Sequence, residues 1–434
     1  MAVFSNSGCY CRGMKMMKIS LFGQKIATES GIGRLMEDLG TALSQRRDML
    51  MLGGGNPAHI PQVQKYFRKS MEKLLQNGGE FERAIGNYDP PSGNPEFIES
   101  IAKLLRGELG WKVQPKNIAL TNGSQTAFFI LFNIFAGVFK DGMDRKILLP
   151  LAPEYIGYCD VGLADDIFVA NEPKIEHIDK YVFKYHIDFD RINVTGQTGA
   201  ICVSRPTNPT GNVLTDTEIE KLSELAGANN IPLIIDNAYG TPFPDIIFTE
   251  AKARWNRQII YCMSLSKLGL PAVRTGIVIA DEEVIEMVSR ANAVMSLAPG
   301  GMGATIAKNL FKTREIINLS RDIIKPFYRE KANSALEQVI KELDGIDFHI
   351  HKPEGAFFLW LWFPSLPITD VELYQRLKKR GVLVVPGNYF FPGLKNNWPH
   401  KNECIRINYS QDTKTVTSGI KIIVEEVKRA SDSS

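Results

Sequence analysis

"QIIYCMSLSKLGLPAVR", residues 258–274, leaves an unbroken apolar run and enters two serines, a lysine and an arginine. Ile259–Met263 is continuous rather than alternating, which is how a strand covered on both faces reads. Ser264, Ser266, Lys267 and Arg274 then gather at its mouth. A lysine in that position is poorly placed for ordinary solvation. Partial burial and neighbouring cations would lower its pKa, which suits an amine nucleophile that forms Schiff bases. The plain structural alternative is a loop lysine snorkelling to water.

Working outward, the same signature recurs. "NIALT" (117–121), "KILLPL" (146–151), "AICVS" (200–204), "IPLIID" (231–236) and "TGIVIA" (275–280) are further continuous apolar runs. They predict a sheet buried on both faces, hence mostly parallel with helical crossovers. "TAFFILFNIFAGVFK" (126–140) reads as a buried helix. "DTEIEKLSELAGANN" (216–230) reads as a second helix, with Thr215 and Glu218 forming a capping box. The C-terminal third differs. "FHIHK" (348–352), "GAFFLWLWF" (355–363), "GVLVVPG" (381–387) and "CIRINYS" (404–410) are strands set between helices at 370–381 and 416–430. The expected fold class is therefore α/β: a large domain with a mostly parallel central sheet plus a smaller α+β domain, joined by a helical stretch around 305–343. The boundaries follow as 1–16, a disordered or over-extended N-terminus; 17–60, a segment belonging with the small domain; 61–315, the large domain; and 316–434, the small domain.

Bulk properties narrow the function. Fifty-one Lys and Arg against 48 Asp and Glu give a net charge of +3 over 434 residues. That is too small an excess for a nucleic-acid or anionic-membrane partner recruited by bulk charge. The longest apolar run, 127–139, is interrupted by Asn133 and falls short of the ~20 residues of a membrane helix. The first residues lack the apolar core of a signal peptide. Cys9, Cys11, Cys159, Cys202, Cys262 and Cys404 show neither a CxxC pair nor a Cys/His ligand spacing. No metal site is expected, and a reduced, cytoplasmic protein is.

In open α/β sheets ligands bind beyond the carboxyl ends of the strands. Four polar clusters stand at such ends: Asn122–Gln125, Pro206–Gly211, Asp236–Tyr239 and Ser264–Lys267. The first opens a helix, where free amides favour an anion such as phosphate; alone it is an ordinary strand-to-helix turn. Asn208, between two prolines, is either part of a rigid connector or free to meet a ligand. Asp236 at the tip of its strand needs a cation or donors; a distant Lys or Arg, or a ligand N–H⁺, would serve. A phosphate site, a Schiff-base lysine and a buried carboxylate that can pair a pyridinium nitrogen together describe pyridoxal phosphate. The Walker A loop and the GxGxxG turn are both absent, and "LGGGNP" (52–57) matches neither.

With "NPTG" (208–211), "DNAY" (236–239), "SLSK" and its following arginine (264–274), and "RINYS" (406–410) in this order, the chain resembles the fold-type I pyridoxal-phosphate enzymes of the aspartate aminotransferase superfamily. From about Ile19 onward, segments such as "MLGGGNPA", "PLAPEYIGY", "HKPEGA" and "NYFFPGL" are similar to its valine–pyruvate branch. The Lys267–Arg274 interval is one residue shorter than in aspartate aminotransferase. The resemblance implies a ping-pong transfer of an amino group between valine and pyruvate, with pyridoxal 5'-phosphate as cofactor. It implies Lys267 as the attachment and proton-shuttling residue, Asp236 on the pyridinium nitrogen, and Asn208 and Tyr239 on the phenolic oxygen. Tyr155 would stack on the ring, while Gly123, Ser124, Gln125, Ser264 and Arg274 would hold the phosphate. Tyr88 would reach the phosphate of a second subunit, so a homodimer is implied. Arg406 would grip the substrate carboxylate with Asn208 and the backbone at Gly54 and Gly55. Transamination of other neutral or aromatic amino acids, or a lyase reaction, fits the same motifs. A non-catalytic cofactor-sensing domain of a transcription regulator would need an attached DNA-binding segment, and none is read.

Overall fold

Every residue of the strands Ile118–Thr121, Thr198–Ser204, Ile259–Ser264 and Gly276–Ile279 is buried. The computed structural model describes residues 18–27, 33, 37, 40 and 49–432, so the expectation for 1–16 lies outside the described residues. The larger sheet runs, in space, Ile118–Thr121, Gly276–Ile279, Ile259–Ser264, Leu233–Asp236, Thr198–Ser204, Asp144–Leu149 and Phe168–Ala170. The pairs from Ile259–Ser264 onward are parallel. Gly276–Ile279 is antiparallel to both its neighbours. A strand covered on both faces has the same apolar run in either direction, so the sequence pattern carries no sign of this reversal.

The helices lie where the pattern puts them, with one shortened. Ser124–Phe135 packs on Ile259–Ser264 and Gly276–Ile279. It stops before the expected end because Gly137 takes φ +105°, outside the helical range, and Gly137–Val138 pairs with Asp144–Leu149 instead. Asp216–Ala228 begins on the expected capping box. Thr215 Oγ1 accepts the Glu218 amide at 3.2 Å, and the Thr215 amide donates to Glu218 Oε2 at 2.7 Å.

A second sheet orders Val385–Pro386, Cys404–Asn408, Phe358–Trp362, His349–His351, Val182–His186 and Lys174–His177. Its last two strands come from inside the segment 61–315, so position 315 does not divide one sheet from the other. Leu50–Met51 pairs in parallel with Val382–Leu383. The run from Met302 to Glu342 packs on Pro95–Leu109 at its start and on Phe358–Trp362 at its end, with a π-helical turn at Ser320–Ile324 between. Among the described residues no helix is long and apolar enough to cross a membrane.

Lys184, within Val182–His186, clamps the second sheet to the loop after Asn208. Its ammonium pairs with buried Glu354 and donates to the Val213 carbonyl at 3.0 Å, while the Val213 amide donates to Glu354 Oε2 at 3.2 Å. Removing Lys184 leaves buried Glu354 with only the half-exposed Lys352, 3.1 Å from Oε1, set against its charge, and leaves the Val213 carbonyl without its ammonium donor. Lys184→Met is expected to lower the unfolding free energy by about 1–3 kcal/mol, the cost of unmatched buried hydrogen-bond partners. Urea denaturation checks this, and a midpoint unchanged from that of the wild type would show that the pair holds nothing together.

Candidate active site

Strand register brings the polar clusters to one edge. Ser204 pairs with Asp236 and Asp236 with Cys262; two residues on, Ser264 pairs with Gly276 and Gly276 with Thr121. The strand tips therefore line up, and what each carries next in sequence meets its neighbours across the sheet. Strands of the second sheet deliver Arg406 and Phe358 to the same place.

Lys267 sits in the turn Ser266–Leu268 that follows the strand Ile259–Ser264. Its Nζ donates to the Gly55 carbonyl at 2.7 Å and lies 5.3 Å from the Tyr239 ring centroid and 5.5 Å from that of Phe357. Burial, then the nearby Arg406 guanidinium, pull its pKa down to about 8, against the opposing pull of Asp236.

Asp236 finds donors rather than an ion pair. Oδ1 accepts the Ala238 amide at 3.0 Å and Oδ2 accepts the Tyr158 hydroxyl at 3.0 Å. Burial raises its pKa to about 6, while these two hydrogen bonds and Lys267 hold it down. At neutral pH it is ionised.

Arg406, only 2% exposed, is matched by fixed acceptors. Nη1 donates to Asn208 Oδ1 at 2.7 Å and Nη2 to the Gly53 carbonyl at 2.6 Å; the guanidinium carbon stands 4.3 Å from the Phe358 centroid and 5.3 Å from that of Phe390. Its Nε is buried with no acceptor. Burial lowers its pKa to about 10, so it stays charged. The Gly54 carbonyl accepts from Asn408 Nδ2 at 2.6 Å and the Asn56 carbonyl from Ser410 Oγ at 2.8 Å. Four successive carbonyls, Gly53 to Asn56, are thus held by side chains of this site.

On the other side, Arg274 has φ +48°, and its guanidinium lies against Gly123, where any Cβ would come within 2.1 Å of Nη2. Gly123 has φ +87° and precedes the helix Ser124–Phe135; the Thr126 amide turns back to the Gly123 carbonyl at 3.1 Å, while those of Ser124 and Gln125 have no intrahelical acceptor. Arg274 Nη1 reaches Ser266 Oγ at 3.4 Å. Ser264, named from sequence, accepts the Ser266 amide at 3.0 Å on its Oγ. Gln125 donates to the Gly157 carbonyl at 2.7 Å and so braces the turn that carries Tyr155. Tyr155 and Tyr158 meet edge to face at 5.5 Å. Tyr239 is buried, with its ring 5.2 Å from that of Phe357. Tyr88 stands apart, 83% exposed.

In the sequence the aromatic run 357–363 reads as core that could also line the side-chain pocket, and Tyr158, Asn408 and Ser410 carry no assigned role. Tyr158 lies one turn beyond Tyr155, the only signal available for it. Phe357 and Phe358 are core residues by burial, yet their rings wall the Lys267 and Arg406 cations.

The geometry predicts an unusually reactive amine. In the ligand-free protein, Lys267 should react with an amine-acylating reagent with a pH midpoint near 8, against above 10 for surface lysines. Asp236→Asn removes the anion that favours the ammonium and should move the midpoint lower. Peptide-resolved labelling rates read both, and a Lys267 midpoint above 10 would contradict the burial argument.

The Aminotransferase class I and II family matches residues 47–423. A valine–pyruvate aminotransferase of Escherichia coli K12 is 52% identical over 95% of this chain and 99% of its own. The crystal structure of a valine–pyruvate aminotransferase from Salmonella typhimurium LT2 is 51% identical, with TM-score 0.85 over 93% of this chain and all of its own. A putative amino-acid aminotransferase from Psychrobacter arcticum 273-4 superposes with TM-score 0.94 at 46% identity, over 96% of this chain and all of its own. Aspartate aminotransferase of Thermus thermophilus, at 20% identity and TM-score 0.75 over 95% of this chain and all of its own, shares the fold.

Proposed function

The chain belongs to the class I and II aminotransferases, and on that premise we propose that it moves the amino group of valine to pyruvate, reversibly, giving 2-oxoisovalerate and alanine. Pyridoxal 5'-phosphate is the cofactor, and the enzyme works as a cytoplasmic homodimer. The substrate pair rests on the 52% identity to the Escherichia coli protein. The chemistry rests on one observation: a depressed-pKa amine, an ionised carboxylate and a buried guanidinium face one space.

The donor set fits the cofactor. Gly123, Ser124 and Gln125 at the helix start, with Ser264, Ser266 and Arg274, suit its phosphate. Asp236 suits its ring nitrogen, Asn208 and Tyr239 its phenolic oxygen, and Tyr155 its ring face. Tyr88, exposed on one subunit, serves the site of a second. Bound there, pyridoxal phosphate would supply an aldehyde for the amino group and a ring that withdraws electrons from the α-carbon. Asp236, ionised above about pH 6, holds a proton on the ring nitrogen. Arg406 binds the α-carboxylate, using the Nε–H that has no acceptor of its own and Nη2 as it leaves Gly53. The backbone of Gly54 and Gly55 lines the same group. Lys267 takes the α-proton and returns it, and its pKa near 8 leaves part of the population neutral for this work at neutral pH. The rings of Tyr155, Tyr239, Phe357 and Phe358 keep water from these groups.

Initial rates with varied valine and pyruvate should give parallel reciprocal plots, with alanine formed. Turnover of another amino-acid donor at much higher efficiency, with valine inert, would overturn the substrate assignment. Arg406→Lys should raise KM for both substrates about 10- to 100-fold, the worth of a charge-assisted hydrogen bond, with cofactor retained. Unchanged KM values would remove Arg406 from substrate binding.

A further inference from the structure

Behind Asp236 lies a second carboxyl group that the reaction above does not use. Glu154 is 0% exposed. Its Oε1 accepts the Ser204 amide at 2.8 Å, its Oε2 is 2.5 Å from Ser204 Oγ, and the Tyr155 amide approaches Oε2 at 3.3 Å. Ser204 Oγ is in turn 3.4 Å from Tyr158 Oη, which donates to Asp236 at 3.0 Å. The ionisable groups facing Glu154 are Asp236 on the neighbouring strand, Cys202 on the strand of Ser204, and Tyr158 on the turn following Glu154; among the described residues no cation is set against it. A buried carboxylate with no cation, on the same hydrogen-bonded chain as a second carboxylate, is costly.

We propose that Glu154 is a positioning residue held as the neutral acid, whose O–H donates to Ser204 and thereby directs the chain Ser204–Tyr158 toward Asp236. The proton count then closes. Glu154 donates to Ser204 Oγ, Ser204 to Tyr158 Oη, and Tyr158 to Asp236 Oδ2, with one hydrogen in each link. Asp236 is left as the one anion, stabilised from behind by a donor that has a donor of its own. Were Glu154 ionised, the Ser204 hydroxyl would turn back to it and Tyr158 would lose its donor. Burial pushes the Glu154 carboxyl up to about 8, in keeping with this arrangement. The importance given to Asp236 rests on the aminotransferase reading; the protonation of Glu154 does not.

The test has two parts. In the cofactor-free wild type, the folded state keeps the Glu154 proton up to about pH 8, whereas the unfolded chain loses it near the ordinary 4.5. Between these values the folded state binds one proton more, so rising pH favours unfolding, by up to tenfold per pH unit for this group. Glu154→Gln, whose amide donates to Ser204 Oγ and accepts its N–H as the acid does, should lose this component and show a flatter dependence in urea unfolding between about pH 5.5 and 7.5. Equal slopes in wild type and variant would mean an ionised Glu154 and overturn the proposal. The second part reads pyridoxal-phosphate affinity. Ser204→Ala and Glu154→Leu should each weaken it about tenfold, the worth of one hydrogen bond to a charged group, with Glu154→Gln restoring it. Affinity unchanged in Ser204→Ala, or lost in Glu154→Gln, would overturn the positioning role. Absence of cofactor binding by the wild type, with the slope difference intact, would instead sink the functional reading and leave a neutral Glu154 standing.

Discussion

A guanidinium almost wholly out of water must find fixed acceptors, and Arg406 finds them in parts of the chain far apart in sequence. Its strand is in the second sheet, one acceptor is Asn208 beyond the first sheet, and the other is Gly53 in the N-terminal segment. Much of the site's arrangement follows from this one desolvated cation. It brings the edge of the second sheet over the strand tips of the first, it lowers the pKa of the lysine beside it, and it keeps one buried donor free. The Lys184–Glu354 pair makes the same join from below, holding the loop after Asn208 to the second sheet.

Opposing influences act on Lys267. Burial foremost, then the two guanidiniums, Arg406 and Arg274, disfavour its charge, and Asp236, held by hydrogen-bond donors, favours it. An amine so balanced changes protonation with small changes in its surroundings. That is the property a proton carrier needs, and it depends on residues contributed by both sheets.

Much of this was legible in the sequence, for a physical reason. Strands covered on both faces read as apolar runs, so polar residues at their tips stand out, and parallel strands put those tips at one edge. Asn208, Asp236, Lys267 and the Gly123 turn are all of this kind. The remainder depends on interactions without a local pattern. Backbone carbonyls at Gly53–Asn56 carry no side-chain signature, though each is held by a site residue. Tyr158 and Glu154 reach Asp236 from a distant turn, and only the register of Thr198–Ser204 beside Leu233–Asp236 brings Ser204 between them. Strands 174–186 join the second sheet through pairing with His349–His351, which their composition does not announce. The reversal of Gly276–Ile279 is silent because both of its faces are buried.

The central claim is that Lys267 is the amine that carries pyridoxal phosphate. Borohydride reduction of the protein reconstituted with the cofactor, followed by peptide mass spectrometry, tests it most directly. The account predicts a phosphopyridoxyl group on the peptide containing Lys267, lost when valine is added before the reductant. A label on another lysine, or a Lys267 peptide left unmodified, would contradict it.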